Sequence, residues 1–459
     1  MGAIKKLIGF ALLLLVGCAH YQAKPIALSN IAQAQAGQSL AAPCIAAAHV
    51  AGGDQWLEAE LIAAAECFNP SLARAKAATQ LAAANGSVAR QYPGLALVIS
   101  TEYARNAPEA SKWLRGLSLD IPIDFGVRKA VRLEAAAQMQ LLSTLENLIL
   151  QRAVAAEIGL SIDAIRAAQQ EEFLLQLRAT QQQDWLKFVA QRIVEGQISQ
   201  AERLKPQQDL LATQALLLRA QAGERIARGR LALALGVPLS QVLSLKVRTE
   251  RADAPLRASN EMRRAALLAR PELLRALGQY QLSELALRLE VARQYPDIRL
   301  IPGYIWERGL VKLPLALSAA LPPLDGNRNA ILVAEAAREL AARELELIQA
   351  NITNEIDVAV VNLAAARAAY TLGLQQLQTA NMETSAARAG FAAGQLDQLG
   401  RLSAELHLSD IKLTLHTLAV EVQRTQRALS LTLSVPPVVA RPKPFMESRR
   451  TGDTAGKSS

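Results

Sequence analysis

The chain is poor in aromatic residues, although it is rich in apolar ones. Phenylalanine, tryptophan and tyrosine make up 4% of its 459 residues, while 51% are hydrophobic, because alanine and leucine dominate. Small side chains let helices pack closely and fill little volume each, so the composition favours a helical tube or bundle over a thick core. The net charge of +9 is spread without a basic block, which argues against nucleic acid as a partner.

Motifs that carry catalysis or hold metals are also missing. The sequence contains no glycine-rich phosphate loop and no nucleophile motif. The histidines are His20, His49, His407 and His416, and no two are spaced as metal ligands on one helical turn. We therefore predict no enzymatic activity, no cofactor and no metal site, with His407 and His416 as surface or packing residues.

Proline and glycine are nearly absent from one long stretch. Between Val127 and Glu195 there is no proline and a single glycine, Gly159. The stretch predicts one helix over 127–195, about 100 Å long at roughly 1.5 Å per residue. Helices of globular proteins average about 10–14 residues, so this helix must lie along other long helices.

The N-terminus is typical of a bacterial lipoprotein. Two lysines precede an apolar run that is too short to span a bilayer as a helix. The run ends in Leu-Val-Gly-Cys, which resembles a lipobox whose cysteine, here Cys18, is acylated. Residues 1–17 are thus a predicted signal peptide and 18–55 a linker. An ordinary signal peptide that happens to contain a cysteine is the alternative.

Two further cysteines, Cys44 and Cys67, remain beyond the lipidation site. An oxidising periplasm would permit a disulfide between them. Two buried free thiols are the alternative.

The sequence contains one pattern twice, offset by about 200 residues. The pentapeptide Ala-Arg-Gln-Tyr-Pro occurs at 89–93 and at 292–296. Further pairs keep the same order: Asn69-Pro70 with Arg270-Pro271, Asp124 to Gly126 with Leu324 to Gly326, Gly196-Gln197 with Gly394-Gln395, and Val237-Pro238 with Val435-Pro436. We predict two repeats, 56–250 and 251–436, and a disordered tail at 437–459.

Each repeat reads as a helix, two strands, a long helix, a tight turn and a returning helix. Alternating apolar and polar residues predict strands at about 95–103, 117–125, 298–306 and 311–321. Helices are predicted at about 57–91, 127–195 and 199–235, and again at about 259–294, 327–393 and 397–433. In each repeat the two shorter helices would stack end to end along the long one.

The strands are long enough to cross a membrane, at about nine residues each. Open sheet edges leave backbone groups unsatisfied in lipid, so four strands per chain require several copies to close a barrel. Pro122 and Pro314 suit strand ends or edges better than central positions. A soluble sheet packed on helices is the alternative.

Together these features resemble the TolC-like outer-membrane efflux proteins over essentially all of residues 56–436. The resemblance rests on the two repeats and on these motifs: Asp124 to Lys129, Pro322 to Asn329, Arg270-Pro271-Glu272, the turn glycines Gly196 and Gly394, and Leu235 to Pro238. It implies a mainly α fold with a small β part. Long α-helical hairpins would form a coiled-coil tunnel, and four transmembrane strands per chain would form a twelve-stranded barrel in a homotrimer. Two stretches, Pro322 to Asn329 and Arg128-Lys129, look most like the CzcC-like branch of heavy-metal efflux.

The resemblance implies a passive duct of a tripartite efflux system, exporting small molecules or metal cations. The protein would be lipid-anchored in the bacterial outer membrane and extend into the periplasm. Its partners would be two further copies of the chain, a periplasmic adaptor (membrane fusion) protein, an inner-membrane pump of the RND or ABC type, and outer-membrane lipid. Two alternatives remain: a duct for type I protein or peptide secretion, and a structural periplasmic lipoprotein without a pore.

In such proteins the two helix–helix turns face the adaptor. The corresponding residues here are Arg192, Gly196, Ser199, Glu202, Gly390, Gly394 and Asp397. Ser199 and Glu202 predict a capping box, and Asp397 predicts an N-cap. Family members often carry an acidic residue beyond the turn glycine. Glu202 fills that position once, but its counterpart is Gly400. Pro206 predicts a kink in the first returning helix.

Overall fold

The computed structural model describes residues 21–38, 40, 55–103, 105, 112–124, 126–247, 259–307 and 309–433. The predicted signal peptide with Cys18, the predicted tail and the boundary between the repeats lie outside these residues. Cys44 does too, whereas Cys67 is described and exposed. The lipidation, the division into repeats and the Cys44–Cys67 disulfide therefore stay predictions.

Two very long helices dominate the fold. Helix α4 covers Val127–Val194 (68 residues) and α9 covers Arg328–Ala392 (65 residues), so each is about 100 Å long. Both end within one residue of the predicted bounds. The other described helices are α1 Leu28–Ala36, α2 Glu58–Phe68, α3 Pro70–Arg90, α5 Leu204–Leu235, α6 Ser240–Leu243, α7 Asn260–Ala269, α8 Pro271–Ala292 and α10 Gln398–Leu433.

The shorter helices stack end to end along the long ones, as predicted. Helices α3 and α5 lie along α4, and α8 and α10 lie along α9. Because α4 also contacts α8 and α10, the helix order is α3–α4–α8–α9 near the sheet and α5–α4–α10–α9 near the turns. The chain is thus one layer of parallel and antiparallel helices, with α9 at one edge and α3 and α5 at the other.

The helices predicted at 57–91 and 259–294 are each broken in two. The breaks fall at Asn69 and Arg270, where the backbone is extended. The next residue in both cases is a proline at the first position of a helix. Proline disfavours the helical conformation for the residue before it, which explains both breaks.

Five strands form one antiparallel sheet. They are β2 Ala96–Tyr103, β3 Trp113–Pro122, β5 Asp297–Glu307, β6 Leu310–Lys312 and β7 Leu315–Ala320. The order is β2-β3-β5, with β6 and β7 along the far side of β5. The strand predicted at 117–125 begins earlier, at Trp113, and ends at Pro122. A separate parallel pair joins β1 Gln55–Trp56 to β4 Lys246–Val247.

The strand predicted at 311–321 is interrupted by Pro314. Proline has no N–H to donate, so β6 ends at Lys312 and β7 begins at Leu315. The Pro314 carbonyl still accepts a hydrogen bond from Gly303 N at 2.8 Å. A Cβ at Gly303 would lie 3.0 Å from the proline ring, so the glycine leaves room for it. The four predicted strand positions are present, and the fourth is in two pieces.

Among the described residues, the buried core forms two separate clusters rather than one. The first joins α2, α4 and α5 and includes Leu61, Ile158 and Leu231. The second joins α7, α9 and α10 and includes Ile352 and Leu429. Many other large apolar side chains are exposed in the single chain, which directs attention to its surfaces.

Candidate functional surfaces: an amphipathic sheet and two helix turns

The sheet has one apolar face and one polar face. The register pairs Leu97 with Leu119 and Leu117 with Tyr304, so alternate residues of all strands share a side. The apolar face includes Leu97, Ile99, Leu117, Leu119, Leu300 and Leu317. The opposite face includes Glu102, Asp120, Asp297, Arg299, Glu307 and Lys312.

Large side chains of the apolar face are exposed in the single chain. Ile99 is 72% exposed and Leu317 is 68% exposed. An antiparallel sheet in water normally covers its apolar face with the protein core. Here no described element covers that face, while the other face carries charges. This arrangement suits a sheet placed between lipid and water.

Aromatic side chains cluster at the end of the apolar face that is far from the helices. Tyr103 packs on Trp113, with ring centroids 5.0 Å apart, and Trp306 lies nearby on the same face. Strand β3 has 10 residues and is about 33 Å long. Membrane-spanning barrels carry aromatic girdles beside an apolar band of about 25 Å, so this cluster suits one border of such a band.

Both edges of the sheet lack a strand partner within the described residues. Strand β2 forms one edge, and β6 and β7 form the other. Such edges present unpaired N–H and C=O groups that another chain can bind. The four strand positions alternate in direction, so β2 at one edge runs opposite to β6 and β7 at the other edge. If β2 of one copy paired with β6 and β7 of the next, the new pair would also be antiparallel.

Two arginines at the start of α4 join the helices to the sheet. Arg132 Nε donates to Ala89 O at 3.0 Å, and its Nη2 lies 2.6 Å from Asp124 Oδ2. Arg128 Nε donates to Ala292 O at 3.2 Å and pairs with an aspartate of β5. Ala89 and Ala292 are equivalent residues of the repeated pentapeptide, near the ends of α3 and α8. Each guanidinium satisfies a carbonyl oxygen that a helix end leaves without a partner.

The two predicted turns at the other end of the long helices have the same geometry. Gly196 has a φ of 70° and Gly394 a φ of 71°, the left-handed conformation that glycine adopts without strain. Gln197 N donates to Arg192 O at 2.9 Å, and Gln395 N donates to Gly390 O at 2.8 Å. These bonds close the last turns of α4 and α9.

The capping box predicted at Ser199 and Glu202 does not form. Glu202 N donates to the backbone oxygen of Ser199 at 3.1 Å, and residues 200–203 make a 3₁₀ turn instead. Helix α5 then begins at Leu204. Pro206 therefore lies in the first turn of α5. The N–H groups of a first turn have no acceptor inside the helix, so a proline there breaks no hydrogen bond. The reason for the predicted kink is thereby removed.

Asp397 caps α10 as predicted and also links the two turns. Its Oδ1 accepts a hydrogen bond from Gly400 N at 2.8 Å. Its Oδ2 lies 3.7 Å from Arg192 Nη1, which is at the end of α4. The two turns of one chain are therefore held side by side by a partly exposed ion pair.

A cleft of about 450 Å³ lies beside the turns, between α4, α5 and α10. Trp185, Phe188 and Leu406 provide apolar walls, and charged residues of both signs line it. Gln182 also lines the cleft and is 4% exposed, and its Oε1 accepts no hydrogen bond within the described chain. A buried acceptor without a partner costs about 1–3 kcal/mol, so this position is locally unfavourable within the single chain.

The described histidines lie at helix surfaces and contacts. His407 Nε2 is 3.9 Å from Glu383 on an exposed surface, and His416 Nε2 is 2.9 Å from Ala167 O between α10 and α4. Among the described residues, no three His, Cys, Asp or Glu side chains are grouped so that they could hold a metal ion. The absence of a metal site and of catalysis stays a prediction.

Comparison with known proteins identifies the fold. No protein-family model and no curated protein matches the chain. CusC, described for its transmembrane channel formation, matches with a TM-score of 0.68 at 18% identity over 82% of this chain and 92% of its own. The outer-membrane channel OprN matches with a TM-score of 0.70 at 18% identity, over 82% of this chain and 90% of its own. The open state of the Neisseria gonorrhoeae outer membrane channel MtrE matches with a TM-score of 0.66 at 17% identity, over 82% of this chain and 88% of its own. The chain has the TolC-like fold of these outer-membrane channels.

Proposed function

We propose that the chain is the outer-membrane channel component of a tripartite efflux system, acting as a passive trimeric duct. The observation that carries the proposal is the sheet, which is apolar on one face, charged on the other and unpaired at both edges among the described residues. Joined copies would place the apolar face against lipid and the charged face toward a water-filled bore.

The number of strands supports a trimer. Each chain provides four strand positions, so two copies would give eight strands and three copies twelve. The interior of an eight-stranded barrel is filled by its own side chains or holds one small ligand. Twelve strands leave an open interior, which a duct for small molecules or metal cations requires.

The length of the helices supports the same function. Helices of about 100 Å project from the sheet and carry their turns far from the membrane. A lipid-anchored outer-membrane protein, acylated at Cys18, would thereby reach across the periplasm. The turns would meet a periplasmic adaptor that connects the duct to an inner-membrane pump.

The turn region provides the surface for the adaptor. The docking residues would be Arg192, Gly196, Ser199, Glu202, Gly390, Gly394 and Asp397. The adjacent cleft supports this role, because apolar pockets surrounded by charged groups are typical of binding hot spots.

Planar lipid bilayers test the duct. Purified trimers are expected to add conductance in discrete steps of one size. Trimers that insert into the bilayer without any conductance would contradict the proposal and favour a structural lipoprotein.

Acyl labelling tests the lipid anchor. The wild-type protein should incorporate the acyl label and Cys18→Ser should not. Equal labelling of the two proteins would contradict acylation at Cys18.

Photo-crosslinking in living cells tests the docking surface. A photoreactive residue at Ser199 or at Asp397 should capture a periplasmic adaptor, and the same residue at the exposed Gln80 of α3 should not. Capture from all three positions, or from none, would contradict docking at the turns.

A further inference from the structure

Arg115 is the one charged residue that the five described strands of the sheet place on its apolar face. The register pairs Arg115 with Thr101 of β2 and with Trp306 of β5, so its side chain lies on the same side as Leu117 and Tyr304. The other charged residues of these strands lie on the opposite face. A charge that faces the interior of a membrane is unfavourable, so an arginine on this face requires a physical reason.

The position of Arg115 along β3 places it near the membrane border. Arg115 is the third residue of β3, about 7 Å along the strand from Trp113 of the aromatic cluster. Aromatic belts mark the level of the lipid headgroups. A charge on the outside of a barrel costs little at that level, and a long arginine side chain can reach up to the headgroups. Because the helices project from the other end of the sheet into the periplasm, these headgroups belong to the outer leaflet.

The guanidinium group of Arg115 makes no hydrogen bond and no ion pair within the described residues. On the opposite face, by contrast, Arg299 Nε donates to Asp120 Oδ1 at 2.9 Å, and Lys312 pairs with Glu307. A guanidinium carries five N–H donors in a planar fork that matches the oxygens of a phosphate or a carboxylate. The unused donors of Arg115 therefore favour an anionic ligand.

A depression of about 410 Å³ opens beside Arg115 on the same face of the sheet. Its lining consists of Ile99, Arg115, Gly116, Leu117, Tyr304 and Trp306. The Tyr304 hydroxyl and the Trp306 indole N–H are further hydrogen-bond donors, whereas Ile99 and Leu117 are apolar. A ligand with an anionic group at one end and an apolar body matches this lining.

The charges around this end of the sheet also favour an anion. Lys112 directly precedes β3, and Arg105 follows β2 by two residues; both are exposed. Glu102 and Glu307 are the carboxylates of the described strands at this end, and both lie on the opposite face. An anion bound at Arg115 therefore has basic neighbours and faces no carboxylate of these strands.

We propose that the depression at Arg115 binds a phosphorylated glycolipid of the outer leaflet. The guanidinium holds a phosphate in a bidentate manner, and an acyl chain lies along Ile99 and Leu117. The ligand is a lipid because most of the lining is apolar and the depression opens toward the membrane. The inference rests on the membrane placement of the sheet in the proposed duct, and it adds one lipid site per chain.

Native mass spectrometry of the full-length protein in detergent tests the site. The purified protein is mixed with lipid A that carries two phosphates, or with the same lipid after removal of both phosphates. We expect up to three molecules of the phosphorylated lipid per trimer and at least fivefold less binding of the dephosphorylated lipid. Equal binding of the two lipids would show that acyl chains alone are recognised and would overturn the proposal.

Variants of Arg115 locate the site. Arg115→Gln should lower binding of the phosphorylated lipid at least fivefold, and Arg115→Lys, which keeps the charge, should bind more than the glutamine variant. The matched control is Arg74→Gln, which removes an exposed positive charge of α3 at about 24 Å from the end of that helix. The control should bind lipid as the wild type does. Equal binding by Arg115→Gln and Arg74→Gln would overturn the site.

Melting temperatures of the same samples give a second measurement. The phosphorylated lipid should raise the melting temperature of the wild type and of Arg74→Gln by several degrees and leave that of Arg115→Gln unchanged. If the glutamine variant does not fold, the comparison of the two lipids on the wild type still decides. A conducting trimer without preference for the phosphorylated lipid overturns the lipid site and leaves the duct intact, whereas a protein that neither forms trimers nor conducts overturns the duct itself.

Discussion

Gly159, the one glycine of α4, lies beneath a guanidinium group. Arg427 of α10 reaches across α4, donates to Glu58 Oε1 at 2.7 Å and pairs with Asp163. Burial alone would lower the pKa of Arg427, but hydrogen bonds to the two carboxylates outweigh it and raise the pKa above its usual value. A Cβ at position 159 would lie 2.6 Å from Glu58 Oε1. A larger residue at position 159 would therefore collide with Arg427 and Glu58, which are distant from it in the sequence.

Replacing Gly159 with alanine should destabilise the protein. The added methyl group displaces the guanidinium and leaves two partly buried carboxylates without their cation, at an expected cost of about 2–3 kcal/mol. Thermal unfolding measures the effect. The control is Gly86→Ala in α3, where the nearest atom is 3.9 Å from the new Cβ and a gain of up to about 1 kcal/mol is expected. Equal shifts in both variants would contradict this explanation of Gly159.

At the scale of elements, Asn69 holds the junction of three helices. Its Oδ1 accepts from Ser71 N at 2.8 Å and from Leu72 N at 3.2 Å, which caps α3. Its Nδ2 donates to Ala234 O at 2.7 Å, near the end of α5. One buried side chain therefore caps α3 at the break and ties it to the end of α5.

Variants of Asn69 should separate these two roles. Asn69→Ala loses the cap and leaves Ala234 O without its donor, for an expected loss of about 2 kcal/mol. Asn69→Ser keeps an oxygen that can cap α3 and loses the donor to Ala234 O, so its stability should fall between alanine and the wild type. Denaturant midpoints measure the order, and a serine variant less stable than the alanine variant would refute it.

The start of α9 depends on Asn327, which has a φ of 62°. Its Nδ2 donates to Glu290 O at 2.8 Å and to Glu290 Oε2 at 3.0 Å. The bond from Asn327 is the largest cause of a lowered pKa of Glu290, and burial opposes it. A lowered folded-state pKa means that this stabilisation is present above the usual pKa of 4.5 and is lost as the pH falls toward the folded-state value.

Replacing Asn327 with glycine should make the stability of the protein depend less on pH in the range where Glu290 titrates. Glycine keeps the left-handed backbone but removes both bonds to Glu290. The difference in melting temperature between wild type and variant should be largest near neutral pH and should shrink below about pH 4.5. A difference that grows as the pH falls would show that Glu290 does not contribute in this way.

At the scale of the whole molecule, the tryptophans occupy three different surroundings. Trp113 and Trp306 lie on the apolar face of the sheet. Trp185 lines the cleft beside the turns, and Trp56 packs against the first core cluster. The fold separates the sheet from the turns by the length of the long helices, so only the sheet residues should meet lipid.

Fluorescence quenching by brominated phospholipids tests this placement. Single-tryptophan variants, with phenylalanine at the other three positions, are reconstituted into vesicles. We expect strong quenching of Trp113 and Trp306 and little quenching of Trp185 and Trp56. Similar quenching of Trp113 and Trp185 would contradict a membrane band confined to the sheet.

Local patterns in the sequence determined most of the elements. The absence of proline predicted α4, alternation predicted the strands, and Gly196 and Gly394 predicted the turns, because each depends on residues close together in the chain. The resemblance to TolC-like proteins predicted the fold correctly. The breaks at Asn69 and Arg270 had a visible signal in the prolines that follow them, which the helix predictions did not use.

Tertiary structure decided what distant residues do to one another. The pairing of β3 with β5, which places the apolar residues of the strands from both repeats on one face, depends on contacts between segments about 190 residues apart. The reason for Gly159 depends on Arg427, which lies 268 residues away in the sequence. Such choices arise from competition for space and hydrogen bonds between segments distant in the chain, and no local pattern records the outcome.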